Sequence, residues 1–255
     1  MDHILTEKRD GILRIEFNRP EKKNAITVAM YQAMAEALAD GARDAAIRVV
    51  LFHGKPDAYT AGNDLQDFLA DPPKAKTAPS FRFLRAISSF PKPIVAAVSG
   101  LAVGIGTTML LHCDLVYAAP GTRFSLPFVN LALCPEAASS FLLPRLAGYQ
   151  RAAELLFFGE PFPVETAKEI GLVNAIVPAK ELLDAARAAA ARLVQKPQAS
   201  LRAAKALMKE SYASGTAYAL ESEGRIFAER LSSPEAKEAF RAFLEKRKPD
   251  FGKFK

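Results

Sequence analysis

The run Pro93-Ile94-Val95-Ala96-Ala97-Val98-Ser99-Gly100-Leu101-Ala102-Val103-Gly104-Ile105-Gly106-Thr107-Thr108 decides the fold class. Its first six residues are apolar throughout, which predicts a strand buried on both faces, as in a parallel sheet. Gly100, Gly104 and Gly106 then punctuate a turn, and residues 107–113 read as a short apolar helix. A strand, a glycine turn and a helix make a junction whose free N–H groups can hold an oxyanion. The nucleotide versions of such a junction fail here. Met109 stands where the third glycine of GxGxxG belongs, and the P-loop lysine is absent.

Outward from this junction, strands alternate with helices. Residues 11–17 alternate apolar and polar up to the turn signal Asn18-Arg19-Pro20, and residues 47–53 are β-branched and aromatic. Between them, Met30, Met34, Leu38 and Ala42 recur at helical spacing after a Thr27 cap. Residues 114–118 and 172–177 are shorter strand candidates. The class is therefore α/β. Beyond Val177 the texture changes: residues 180–195, 197–213 and 217–230 are rich in Ala, Lys and Glu with helical periodicity, and residues 234–246 open with Pro at a helix start. The expected organisation is an α/β core over 1–178 and a helical region over 179–255.

Composition narrows the function. With 255 residues, 50% hydrophobic and 24% charged, the chain is neither disordered, collagen-like nor a small cysteine scaffold. A chain this long can bury about 73% of its unfolded surface without a disulfide or zinc staple. The net charge of +6 comes from scattered residues, which argues against nucleic acid and suits a small anionic ligand. Cys113 and Cys134 read as small core residues in a reducing compartment, and three isolated histidines offer no zinc spacing. The first residues lack an apolar signal region, and no stretch approaches the ~20 apolar residues of a membrane span. A cytoplasmic protein that needs no membrane is expected.

Two further junctions can carry chemistry. Tyr59-Thr60-Ala61-Gly62-Asn63-Asp64-Leu65 follows the 47–53 strand; it is either a ligand loop or a plain turn capped by Asn63 or Asp64. Leu133-Cys134-Pro135-Glu136-Ala137-Ala138-Ser139-Ser140-Phe141 sets one carboxylate among small and apolar residues. Glu136 is either a proton-transfer group with a raised pKa or a helix-terminal residue facing the dipole. Ser139 and Ser140 lack a GxSxG elbow, and His112 reads as a core histidine.

Together these segments resemble the crotonase family, the enoyl-CoA hydratase/isomerase superfamily, across nearly the whole chain. Asn18-Arg19-Pro20-Glu21-Lys22-Lys23-Asn24-Ala25 looks like its first CoA-contacting loop, and Ala61-Gly62-Asn63-Asp64-Leu65 like its AGxDL oxyanion loop. Val98 through Asp114 matches its second glycine loop, Ala167 through Val173 its A-x-x-x-G-L-V segment, and Ala242 through Lys248 its last helix. The resemblance implies a spiral of ββα turns with a helical C-terminal region that builds trimers, or hexamers as paired trimers. It implies an acyl-CoA thioester substrate and no separate cofactor, coenzyme A being part of the substrate. The thioester oxygen would accept from the N–H groups of Asn63 and Ile105. CoA and acyl contacts would fall on Lys23, Ala25, Ala61, Asp64, Leu65 and Gln66, and, from a neighbouring subunit, on Phe243 and Lys246.

Family hydratases hold a water with two glutamates. The matching positions here are Thr108 and Phe128, neither of which can activate it. Glu136 instead resembles the sole base of peroxisomal-type Δ3,Δ2-enoyl-CoA isomerases, with a P-E-G-x-S-S stretch. The expected activity is a shift of an enoyl-CoA double bond from C3 to C2 in fatty-acid β-oxidation, with Glu136, Asn63 and Ile105 as the catalytic set. A hydratase or other acyl-CoA activity and a non-catalytic acyl-CoA-binding scaffold stand as alternatives.

Overall fold

The computed structural model describes residues 2–55, 57–70 and 78–254. In chain order its strands are β1 (Ile4–Arg9), β2 (Ile12–Phe17), β3 (Val49–His53), β4 (Ile94–Val98), β5 (Leu101–Val103), β6 (Leu115–Ala118), β7 (Arg123–Ser125), β8 (Phe162–Pro163) and β9 (Ala175–Ile176). The helices are α1 (Val28–Arg43), α2 (Leu65–Ala70), α3 (Pro79–Ser88), α4 (Ile105–Thr108), α5 (Ser139–Ala147), α6 (Tyr149–Phe158), α7 (Val164–Glu169), α8 (Leu182–Val194), α9 (Gln198–Leu231) and α10 (Pro234–Leu244).

Every residue of β4 is buried, because both faces of its sheet are covered. On one face Val49, Leu51, Val95 and Ala97 pack under Leu182, Ala186, Ala190 and Val194 of α8. On the other, Val50, Phe52, Ile94, Ala96 and Val98 join the main core with Met30, Met34 and Leu38 of α1. The large sheet has the order β1-β2-β3-β4-β6-β9, parallel except for the β1-β2 hairpin. The small sheet is β5-β7-β8. A strand of the large sheet followed by one of the small sheet occurs twice, at β4-β5 and β6-β7, and helices follow each pair. That is the expected ββα spiral. At the corner between β4 and β5, Gly100 has φ +72°, and a Cβ there would lie 1.9 Å from the Asp57 carbonyl oxygen. Only glycine fits.

The structure departs from the sequence expectations in four places. β1 is an additional strand; Ile4 is its one buried residue, so it shows no alternation, and the Asp10-Gly11 turn (φ 51° and 78°) pins it to β2. The helix expected over 107–113 is α4 followed by a 3-10 turn at Met109–His112. The last core strand contracts to Ala175–Ile176, since Leu172 and Val173 turn back onto α7. Residues 197–213 and 217–230 form the single helix α9, running through Gly215. A Cβ on Gly215 would lie 2.1 Å from the Phe141 ring, and one on Gly224 would lie 2.4 Å from the Phe81 ring. These glycines are notches for aromatic rings and break nothing. Among the described residues no helix is both long and apolar enough to cross a membrane.

Candidate active site

The two glycine loops lie against each other backbone to backbone. Thr60 bridges Ala102, and its carbonyl accepts from the Val103 N–H at 3.1 Å. A Cβ on Gly62 (φ +83°) would lie 2.7 Å from the Val103 carbonyl oxygen, and one on Gly106 would lie 2.5 Å from Thr60 Cγ2. The closeness of this contact brings Asn63 and Ile105 to neighbouring corners. The neighbours Gly62 and Asp64 spend their backbone groups on Ile26, so the Asn63 N–H points the other way. Ile105 opens α4, where an N–H has no intrahelical acceptor. Among the described residues neither N–H has a backbone acceptor. Ile105 is 1% exposed and packs in the main core.

The first loop is locked to the second. Asn24 is fully buried; its amide donates to the carbonyls of Ala58 (2.8 Å) and Tyr59 (3.2 Å), and its carbonyl accepts from the Thr60 hydroxyl at 2.6 Å. Arg19 Nη1 donates to the Ala25 carbonyl at 3.0 Å and to Asp64 Oδ2 at 2.6 Å. Burial raises the Asp64 carboxyl, but Arg19 and the N–H groups of Asp67 and Gln66 bring it below the usual carboxylate range. Asp64 thus caps α2 while it ties the two loops together. Lys23 is exposed beside them, and its carbonyl accepts from the Ala61 N–H at 2.9 Å. Ala25, Ala61 and Leu65 are half-buried around this junction and Gln66 is exposed.

Glu136 stands three residues before α5 and does not cap it. The capping carboxylate is Glu223 of α9, which accepts from the Ala138 N–H at 2.6 Å, the Ser140 N–H at 2.9 Å and the Ser140 hydroxyl. Glu136 Oε1 is enclosed and has no hydrogen-bond partner among the described residues. Burial, and then the neighbouring Glu223 charge, push its carboxyl up to about 8. Ala137 and Ala138, with φ 59° and 58°, form a left-handed turn that presents it. His112 is the buried core histidine expected; its Nε2 meets the Ala137 carbonyl at 2.8 Å, and burial brings its pKa down to about 4. A neutral ring therefore donates there. Glu136, Tyr31, Leu84, Phe227 and Glu223 line a cavity of about 30 Å³. The Tyr31 hydroxyl donates to Asn63 Oδ1 at 2.6 Å, which connects the carboxylate cavity to the Asn63 loop.

An unpartnered carboxyl oxygen, joined through Tyr31 to a loop with an uncommitted backbone N–H, is an arrangement that suits proton transfer next to a carbonyl. The sequence matches the enoyl-CoA hydratase/isomerase family over residues 7–254. The chain belongs to this family. It is 35% identical to enoyl-CoA delta isomerase 2 of Rattus norvegicus over 96% of this chain and 64% of that one. It is 30% identical to 2,3-dehydroadipyl-CoA hydratase of Escherichia coli over 98% of this chain and 99% of that one. The solved structure of Pseudomonas aeruginosa OdaA is 46% identical, with a TM-score of 0.93, over 96% of this chain and 99% of that one.

Within this crotonase fold, the two positions expected to lack water chemistry are both buried. The Phe128 ring is the nearest group to where a Cβ on Gly104 would stand, at 3.8 Å, so it walls the second glycine loop with an apolar face. The Thr108 hydroxyl is enclosed without a partner among the described residues. Phe243 is 60% exposed and Lys246 is exposed, whereas Phe240, three residues before Phe243, is buried in the core. The pair on one helix face therefore divides, and within one chain Phe243 and Lys246 do not join the site. Arg247 is spent on Glu238, at 2.6 Å, and on Glu245. Sequence reasoning missed Asn24, Tyr31 and Glu223. Asn24 lay inside the quoted loop, but Tyr31 and Glu223 carried no local signal, since each reaches the site only through packing of its helix.

Proposed function

We propose that this crotonase-family enzyme moves a double bond of an enoyl-CoA from C3 to C2, with Glu136 as its one acid–base group. The carrying observation is the enclosed Glu136 Oε1 without a hydrogen-bond partner among the described residues, in a chain that has Thr108 and Phe128 at the two positions matched to the water-activating acids of family hydratases. In the ionised form Glu136 takes a proton from C2. The dienolate oxygen is held by the Asn63 and Ile105 N–H groups, and the same carboxyl returns the proton to C4. Both carbons lie on one face of the substrate, so one group suffices. The apolar lining of Phe81, Leu84 and Phe227 excludes water from the carboxylate cavity. An open cleft of about 1700 Å³ under α9 shares Phe81, Leu84, Leu220 and Gly224 with the Glu136 cavity, which gives an acyl tail an apolar course. For the CoA part, Lys23, Gln66 and, across a trimer contact, Lys246 are the exposed polar groups suited to it.

Hydration is the competing reaction, because relatives named as hydratases occur beside those named as isomerases. The test is a paired assay: conversion of trans-3-hexenoyl-CoA to its conjugated 2-isomer, against hydration of trans-2-hexenoyl-CoA. Isomerisation should exceed hydration by at least 100-fold. Hydration at an equal or greater rate overturns the proposal.

A further inference from the structure

We propose that Glu223 of α9 is the positioning residue of this site, holding the strained turn that carries Glu136 and placing a fixed negative charge beside it. This rests on the reading of Glu136 as the base. The geometry has two parts. Ala137 and Ala138 are consecutive non-glycine residues in the left-handed region, a conformation that persists only where its surroundings enforce it. His112 grips the turn at the Ala137 carbonyl, and Glu223 grips it at the Ala138 N–H, 2.6 Å away. Glu223 is 6% exposed and shares the small cavity with Glu136, and no cation lines that cavity among the described residues.

The carboxylates divide the work by their partners. Burial raises both, but Glu223 receives three donors that favour its ionised form, while Glu136 Oε1 receives none. The pair titrates jointly, and the proton bound at higher pH falls to Glu136. The other titratable groups around it are Tyr31 of α1, Cys134 of its own segment, the neutral His112, and Arg230 of α9, which is engaged by Glu235 and the Ala132 carbonyl. None replaces the Glu223 charge.

The test is Glu223→Gln and Glu223→Asp in the full chain, read by carboxyl ¹³C NMR titration with Glu136→Gln to assign the Glu136 signal. Activity on trans-3-hexenoyl-CoA is measured in parallel. Removing the charge should lower the Glu136 midpoint by about one pH unit, and the acid limb of kcat/KM should move by the same amount, with KM within threefold. Aspartate keeps the charge but withdraws the carboxylate by one methylene; kcat should fall about tenfold while the midpoint stays. A folded Glu223→Gln protein with an unmoved Glu136 midpoint overturns the proposal, whatever its melting temperature. If that variant does not fold, unchanged kcat in folded Glu223→Asp overturns it. A wild-type protein without isomerase activity defeats the reaction proposed above, whereas the NMR shift tests the carboxylate pair independently.

Discussion

The phenol of Tyr31 donates a 2.6 Å hydrogen bond to the side-chain oxygen of Asn63, and the same ring lines the cavity of Glu136. One buried side chain therefore sets the spacing between the Asn63 loop and the carboxylate. Burial, and then the nearby Glu136, raise the Tyr31 phenol well above its usual range, so it stays a donor throughout the working pH. Its ring packs at 5.7 Å from that of Phe83, which fixes its direction.

Tyr31→Phe keeps the ring and removes the donor. The Asn63 amide then loses its partner, at about 1 kcal/mol in stability. Freed to rotate, the Asn63 loop should align less well with the oxyanion, and kcat should fall about tenfold, comparable to 1.4 kcal/mol in the barrier. Steady-state kinetics with a parallel urea titration separates the two effects; an unchanged kcat would show that Tyr31 only packs.

Glu136→Gln should reduce isomerisation on the order of 10³-fold in a protein that still folds. In the wild type, kcat/KM should rise with pH through a midpoint near 8, because the base works only when ionised. The stability effect has the opposite sense. The folded-state pKa lies above the unfolded one, so between about pH 4.5 and 8 the native protein binds a proton that the unfolded chain releases, and stability falls as pH rises. Glutamine removes that penalty, and at pH 7 the variant should be more stable by on the order of 1–3 kcal/mol. Melting temperatures of both proteins at pH 5 and pH 8 test this; the gap should widen at pH 8.

Gly62→Ala places a methyl 2.7 Å from the Val103 carbonyl oxygen at a φ of +83°. The two loops must separate, and the oxyanion donors with them. Activity should fall about 100-fold or more, for a stability loss of about 1–3 kcal/mol. Gly215→Ala, whose Cβ would lie 2.1 Å from the Phe141 ring, should cost comparable stability by overpacking and much less activity. Comparing kcat of the two at matched stability distinguishes site geometry from general loosening.

Phe243 and Lys246 test assembly. A phenylalanine 60% exposed on α10, three residues before the exposed Lys246, fits the proposed contact with a neighbouring subunit and its CoA. Lys246→Ala should raise KM severalfold at low salt, less at high salt, with little change in kcat. Removal of the segment from Pro234 onward should abolish trimers in light scattering. A fully active monomer would defeat both expectations.

The sequence by itself determined the α/β class, the buried β4, both glycine loops and Glu136 as the one carboxylate in an apolar run. These are local properties: continuous hydrophobicity, glycine spacing and an isolated charge are legible because covalent neighbours carry them. It did not determine what Glu136 does, since a helix-capping role and a base role share one sequence. Tertiary structure removed the capping role by bringing Glu223, 87 positions along the chain, to cap α5, and left Glu136 Oε1 without a hydrogen-bond partner among the described residues. It also decided that Gly215 is a notch for Phe141 rather than the end of a helix. In both cases the deciding partner lies on another element, and hydrogen bonds and ring contacts are satisfied by proximity in space, which no single-sequence pattern encodes.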